Sequence, residues 1–414
     1  MKTLYSSGIH IANVFIKGAS IFNKKLKLGV VGRSETFSRL KTHISENDRT
    51  FWFHCASLGE YEQGLPVFQQ LKEKYPTHKI VLSFFSPSGY EIRKDSPIAD
   101  VVVYLPLDTK NNAKQFLDLV HPDLIVFVKY DIWPNFLQEI QQRQLRALLI
   151  SATFRAEQSF LKSYGGFMRN ALFAFEHIFT QDESSKVLIE GIGYSSVSVS
   201  GDTRYDRVSH QLNIDNTLTH IETFKDNQTT IIFGSSWPED DAIFIPLINS
   251  CKNKDIKFII APHNIKPSYT KSLISQIELD TVCYTNMSSN TLQDYKVFIL
   301  DTIGQLSRAY HYADIAYVGG AIGKTGLHNI LEPAVFNLPI VIGNNHKKFP
   351  EAMRMQKNGG LFSISNQKEF NDIMHTLIED QPFRVKSGQL NSDYITLHKG
   401  ATTSIIEYLS RAPL

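Results

Sequence analysis

The stretch Ala316–Gly343, AYVGGAIGKTGLHNILEPAVFNLPIVIG, decides the fold. A short apolar run, Ile315 to Val318, ends in Gly319-Gly320, and a glycine-punctuated loop leads to Asn329, from which a helical pattern runs through Leu331, Ala334 and Val335. Pro339 then opens a second apolar run, Ile340-Val341-Ile342-Gly343, which reads as the next parallel strand. The strand, glycine loop and helix predict backbone N–H groups close to an anion at a helix N-terminus, where the helix dipole favours phosphate. Glu332, one turn into that helix, repels phosphate, but its carboxylate can accept hydrogen bonds from the paired hydroxyls of a ribose. Together they suggest a nucleotide. The same residues also suit a plain βα turn whose first-turn Glu complements the dipole.

Working outward, the chain from Phe51 alternates short apolar runs with helical stretches. The runs are 51–55, 80–85, 101–104, 124–128, 148–150, 177–180 and 197–199, with helices such as 61–74 and 111–119 between them. A second series begins at Thr230, with runs at 231–234, 258–261, 281–284, 297–300, 315–318 and 340–342. This alternation predicts two Rossmann-like α/β domains, each a parallel sheet covered by helices on both faces, with function at the carboxyl ends of the strands. The expected boundaries are 28–212 for the first domain and 230–400 for the second. The polar stretch 213–229 is the expected linker, and 401–414 a last helix.

At 414 residues the chain is longer than one hydrophobic core usually supports. A net charge of +2 gives no reason to expect a nucleic-acid partner. Cys55, Cys251 and Cys283 are scattered without metal-like spacing, which predicts a reducing compartment and no zinc. No apolar run reaches the roughly 18 residues of a membrane span. Residues 1–27 instead carry apolar side chains from Leu4 to Phe22 with Lys2, Lys17, Lys24, Lys25 and Lys27 around them. That pattern fits either a helix lying on an anionic membrane surface or a core helix of the first domain.

The strand ends carry the chemistry-bearing residues. Ala56-Ser57-Leu58-Gly59-Glu60 follows the first strand and starts a helix. Glu60 stands where a general base would, and equally where a helix-capping Glu would. Lys129-Tyr130-Asp131-Ile132-Trp133-Pro134 follows another strand, and Ser151 to Arg155 a third. In the second half, Gly234-Ser235-Ser236 ends a strand before a helix, Ala261-Pro262-His263 ends the next, and Asp301-Thr302-Ile303-Gly304-Gln305-Leu306 follows a further one.

Gly-Gly followed by His-Asn-x-x-Glu-Pro and a strand ending in Gly resembles the sugar-nucleotide site of GT-B glycosyltransferases, specifically the 3-deoxy-D-manno-octulosonic acid (Kdo) transferases. The resemblance spans roughly Phe51 to Met353, with motifs in the family's order. It implies a GT-B fold with two parallel sheets facing a central cleft. It also implies inverting, metal-independent transfer of Kdo from CMP-Kdo to a lipid A precursor, without a cofactor, at the cytoplasmic face of the inner membrane. By that resemblance Glu60 is the general base, and Ser57, Gly59, Lys129, Asp131 and Arg155 face the acceptor. Ser235, Ser236, His263, Ile303, Gly304, Gln305, Gly319, Gly320, Asn329 and Glu332 face the donor, with loop N–H groups near Ser235 and Gly319-Gly320 on the phosphate. The last helix crosses back to the first domain in many GT-B proteins. Three positions depart from the family pattern: Lys129-x-Asp131 stands for Glu-x-Glu, the arginine of Pro-Arg-His is missing, which leaves anion binding to His263 or Lys266, and Gln305 stands for Glu. Those departures keep two alternatives open, another GT-B enzyme such as a 2-epimerase, or an inactive sugar-nucleotide-binding protein.

Overall fold

The computed structural model describes residues 2–288 and 291–411, with side chains from Tyr5 onward; the side chains of Lys2 and Leu4 lie outside the described residues. The chain divides into two compact units, Met1–Arg207 with Lys399–Leu414, and Val208–His398.

The first unit holds seven parallel strands: β1 (Thr50–Cys55), β2 (Lys79–Phe84), β3 (Val101–Tyr104), β4 (Pro122–Val128), β5 (Ala147–Ala152), β6 (His177–Thr180) and β7 (Val197–Val199), in the order β3-β2-β1-β4-β5-β6-β7. Every residue of β1 is buried, as a sheet covered on both faces requires. Alternate side chains feed two cores. Trp52 packs with Val81, Ile125 and Phe127, whereas Phe51 and Phe53 pack with Leu82, Leu124 and Val126. Ile405 and Leu409 of the Ala401–Arg411 helix join the second of these cores. The Asp206 carboxylate fastens that helix by accepting from the N–H groups of Gly400 (2.8 Å) and Thr402 (3.3 Å).

The basic apolar N-terminus is two helices rather than one segment. Lys2–Ala19 ends before Asn23, whose side chain accepts from Lys25 and Leu26 N–H and starts Lys24–His43. The second helix belongs to the fold: Arg33 donates to Leu105 and Phe85 carbonyls, and Thr36 to Tyr104. The first is pinned by Tyr5, whose hydroxyl donates to Asp108 Oδ2 at 2.8 Å and whose ring lies 5.4 Å from Phe167. Beyond that pin, Ile11, Val14, Phe15, Ile21 and Phe22 are 58–92 % exposed. Among the described residues no helix is long and apolar enough to cross a membrane.

The second unit repeats the architecture with β8 (Thr229–Ser236), β9 (Ile256–Pro262), β10 (Thr281–Cys283), β11 (Val297–Ile299), β12 (Ile315–Val318), β13 (Ile340–Gly343) and β14 (Leu361–Ile364), all parallel, in the order β10-β11-β9-β8-β12-β13-β14. Residues 213–229, expected as a linker, are part of this unit. The helix Thr219–Lys225 buries Ile221 and Phe224 fully, Phe224 lies 5.3 Å from Phe298, and Leu218 N–H donates to Tyr312. The three cysteines are free and buried.

Candidate functional site

In each sheet the strand order reverses at one point, between β1 and β4 in the first unit and between β8 and β12 in the second. At such a reversal the loops leaving neighbouring strands splay to opposite faces and open a crevice at the carboxyl ends. Glu60 and the 129–133 segment leave β1 and β4; Ser235 and the Gly319–Asn329 loop leave β8 and β12.

Glu60 is the third residue of the helix Leu58–Lys74, capped by Ser57. Ser57 N–H donates to Glu60 Oε2 at 2.7 Å and Ser57 Oγ lies 3.2 Å from the same oxygen, a reciprocal capping box. The carboxyl is only 7 % exposed. Burial raises its pKa, the negative charge of Asp131 raises it further, and the Lys129 ammonium opposes them. Glu60 is therefore a helix cap whose buried carboxyl holds a proton more readily than an ordinary one.

Around it lies a network that sequence reading missed. His54, fully buried on β1, has Nδ1 2.8 Å from Ser83 Oγ, which also accepts from Trp52 Nε1–H at 2.7 Å. His54 Nε2 stands 3.0 Å from Asp131 Oδ2 and 3.1 Å from the donating Trp133 Nε1. One imidazole nitrogen offers either one lone pair or one N–H, so Asp131 and Trp133 compete for it. Asp131 and Trp133 also line a cavity of about 290 Å³ with Tyr130, Gln158, Phe160 and Met168. Lys129 holds φ 75°, a left-handed conformation costly for a lysine, and its ammonium is 5.2 Å from the Tyr130 ring. Ser57 is half-buried and Gly59 exposed beside Glu60. Arg155 is exposed and stands outside this hydrogen-bonded cluster, its backbone N–H held by Gln158 Oε1.

The second unit corrects three expectations. First, the N–H groups of Gly319 and Gly320 are already bonded, to Gly234 O and to Asp240 Oδ2, both at 2.9 Å. Asp240 is fully buried and also accepts from Tyr317 hydroxyl and Trp237 N–H, so the glycine loop is folded around a carboxylate of the protein itself. Gly320 has φ 95°, and a Cβ there would meet Gly326 O at 2.1 Å, so glycine is required by the loop's own closure. Second, the helix expected from Asn329 is the four-residue turn Leu331–Ala334, too short to carry a helix dipole. The helix after Ser235-Ser236, Pro238–Ser250, starts with Glu239, Asp240 and Asp241, which occupy its positive end. Ser236 is itself buried, while Ser235 takes φ 55° at the strand end. Third, His263 is not set out alone as an anion-binding cation but packs against other rings. Its ring stacks 4.5 Å from Trp237 and lies tilted 4.5 Å from His328, and burial lowers the pKa of His263 and takes that of His328 down to about 4.

What the second unit does assemble is a hydrogen-bonded group around Glu332. Glu332 Oε2 accepts from Ser307 Oγ at 2.8 Å, and Oε1 from Asn329 Nδ2 at 3.0 Å. Gln305 Oε1 pairs with His220 Nε2 at 2.9 Å, next to Gly304 at φ 89° and the 84 %-exposed Ile303. Ser307, Asp240 and Trp237 were not foreseen; only the three-residue spacing from Trp237 to Asp240 signals a cap in the sequence.

The sequence model of the family described as 3-deoxy-D-manno-octulosonic-acid transferase (kdotransferase) matches residues 32–207, the part that holds Glu60 and its neighbours. The chain is similar to the Kdo transferase family through its first unit and to named Kdo transferases over most of its length. It is 25 % identical to the 3-deoxy-D-manno-octulosonic acid transferase of Haemophilus influenzae over 86 % of this chain and 86 % of that protein. It is 28 % identical to the enzyme of the same name from Chlamydophila psittaci over 74 % of this chain and 72 % of that one. Among solved structures, UDP-GlcNAc 2-epimerase from Neisseria meningitidis aligns with TM-score 0.63 at 16 % identity, covering 88 % of this chain and all of that one. A glycosyltransferase from Rickettsia africae aligns with TM-score 0.55 at 12 % identity over 88 % and 98 %. The chain is thus a glycosyltransferase with the GT-B fold.

Proposed function

We propose that this glycosyltransferase moves Kdo from CMP-Kdo to a hydroxyl of a lipid A precursor in lipopolysaccharide synthesis, with inversion and without a metal in the chemistry. The observation that carries the reading is the buried Glu60 carboxyl at the end of β1, with its pKa raised by burial and Asp131, inside the domain that matches the family. Both Ser57 contacts fall on Oε2, so Oε1 is the oxygen for the acceptor hydroxyl. As Glu60 takes the proton, the acceptor oxygen forms its bond to the anomeric carbon from the face opposite the nucleotide. The bond from that carbon to the phosphate oxygen breaks, and CMP leaves with the electron pair. A raised pKa makes Glu60 a stronger base than an ordinary carboxylate and brings it nearer the working pH.

In this reading the acceptor is held by the first unit, with Ser57, Gly59, Lys129 and Asp131 nearest the reacting hydroxyl and Arg155 on an acceptor phosphate. The donor is held by the second, with Glu332, Asn329 and Ser307 on the ribose hydroxyls and the Ile303–Gln305 turn on the base. Among the described residues no three His, Cys, Asp or Glu are grouped to hold a metal. The exposed apolar residues of Lys2–Ala19 and the turn after it, with Lys17, fit peripheral attachment to the cytoplasmic face of the inner membrane.

Labelled CMP-Kdo incubated with a lipid A precursor tests the whole reading. Labelled lipid of the mass expected for added Kdo supports it. Free nucleotide with a rearranged sugar marks an epimerase, and donor binding without turnover marks an inactive binding protein.

A further inference from the structure

A sugar nucleotide brings a phosphate to the donor half, and an anion leaving water needs cations or unspent N–H groups in return. The groups the sequence offers for this are otherwise engaged. The Gly319 and Gly320 N–H groups are bonded to the protein, the nearest long helix begins with three acids, and His263 and His328 pack ring against ring with Trp237.

Positive charge lies one loop further. A cavity of about 780 Å³ opens at the carboxyl ends of β12 and β13, lined by Lys324, Lys347 and Lys348 with Thr325, Asn344 and Asn345, and no carboxylate is among its lining residues. Its volume is that of a small-molecule site. The two loops that wall it are tied into one frame. Asn345 N–H donates to Ala321 O at 2.9 Å, and Asn345 Nδ2 donates to Gly323 O at 2.8 Å and Ile322 O at 3.2 Å. At Gly343 a Cβ would lie 2.3 Å from the Ala321 carbonyl carbon and the Ile322 nitrogen, so the loops meet backbone to backbone. Lys324 sits on the glycine loop itself, and Lys347 and Lys348 on the loop that follows β13. The lysines therefore project from a braced wall next to the strand reversal.

We propose that this basic cavity is the subsite for the phosphate-bearing end of the donor nucleotide, with Lys324, Lys347 and Lys348 facing its oxyanions. The proposal rests on the reading of the chain as a sugar-nucleotide transferase. When the bond from the anomeric carbon to the phosphate oxygen breaks, that oxygen keeps the electron pair and the phosphate passes from a singly charged diester to a doubly charged monoester. Cations already in place gain attraction as that charge develops, so the lysines contribute to rate as well as to binding.

A phosphorylated lipid acceptor carries the same chemistry, and the test separates the two sources. Full-length protein and the variant K324Q/K347Q/K348Q are titrated calorimetrically with CMP and with cytidine. Transfer is measured with CMP-Kdo varied at fixed acceptor and the reverse. All three side chains are exposed, so the fold is expected to survive; a melting curve checks this, and the three single variants stand in if it does not. The expected result is CMP affinity lower by about 10- to 100-fold, a flatter salt dependence of CMP binding and a higher KM for the donor, with cytidine affinity unchanged. Equal CMP affinity in variant and wild type overturns the subsite and leaves the donor reading standing. A rise in acceptor KM alone also overturns it, by giving the lysines to the acceptor phosphate. Failure of the wild type itself to bind CMP overturns the donor reading, which is a different result from a variant that matches the wild type.

Discussion

Replacing Glu60 by Gln separates its helix cap from its proposed work as general base. The cap needs an acceptor oxygen 2.7 Å from Ser57 N–H, which a Gln amide oxygen provides; the base needs a carboxylate, and an amide takes no proton. Transfer is expected to fall by about 10²- to 10⁴-fold, the usual scale for losing a general base. Stability moves the other way. Because burial and then Asp131 raise the Glu60 pKa, there is a pH interval above the ordinary carboxylate range in which the folded state keeps a proton that the unfolded state has released. More protons bound in the folded state means that stability falls as pH rises through that interval, and the deficit persists above the folded pKa. Glu60→Gln removes this deficit, so the variant melts at or above the wild-type temperature at neutral pH and loses that advantage in acid. Glu60→Ala, which removes the cap as well, serves as the comparison and should cost about 1 kcal/mol in helix capping. Wild-type turnover should rise with pH as Glu60 ionises, with a midpoint above the ordinary carboxylate range. Melting curves and transfer rates across pH 4–8 decide the matter. A Glu60→Gln enzyme with near-wild-type turnover, or one that melts clearly below wild type, would leave Glu60 as a helix cap and nothing more.

Asp131→Asn removes the second cause of the raised Glu60 pKa, so the acidic limb of the kcat/KM profile should move to lower pH; an unmoved limb contradicts the coupling. Glu332→Ala should weaken CMP binding by about 1.5–3 kcal/mol, the worth of a charged hydrogen bond, with kcat at saturating donor little changed. If calorimetry shows equal affinity, Glu332 serves only Asn329 and Ser307. The full-length protein should co-sediment with anionic vesicles at low salt and leave them at high salt, since each lysine near such a surface adds about 1 kcal/mol that salt screens. Removal of residues 1–22 should abolish that binding and spare activity on a detergent-dispersed acceptor, and binding indifferent to salt and lipid charge would indicate a purely hydrophobic anchor.

The sheets were legible because a parallel strand buried on both faces is written as an unbroken apolar run, and thirteen of the strand positions declare themselves in this way. β14 did not, since Leu361–Ile364 is only buried at its ends and follows two glycines. The catalytic candidate was legible for a similar reason: a cap residue after the first strand is a local pattern, Ser-x-x-Glu. Asp240 was not, because its meaning lies in a bond to a loop 80 residues away. The same limit produced the error at Gly319-Gly320. Glycines that let a backbone approach something look identical in sequence whether the partner is a phosphate or a buried aspartate. His54 carried a weak signal, a histidine inside an otherwise apolar strand, but nothing local shows that it meets Asp131 and Trp133 from beyond β4.

The departure at Lys129-x-Asp131 gains a physical sense from this geometry. The Kdo transferase pattern, Glu-x-Glu, would place two acids after β4, and each negative charge near Glu60 would push its pKa further up. In this chain Asp131 pushes up and Lys129 pulls down, so the base is held between them and titrates lower than it would beside two acids. The lysine occupies a left-handed backbone position that a side chain with a Cβ takes at a cost of about 1–3 kcal/mol, and such strain persists where the surrounding structure fixes it. In the proposed mechanism the charge reversal therefore keeps Glu60 as the general base and tunes it to a lower pH.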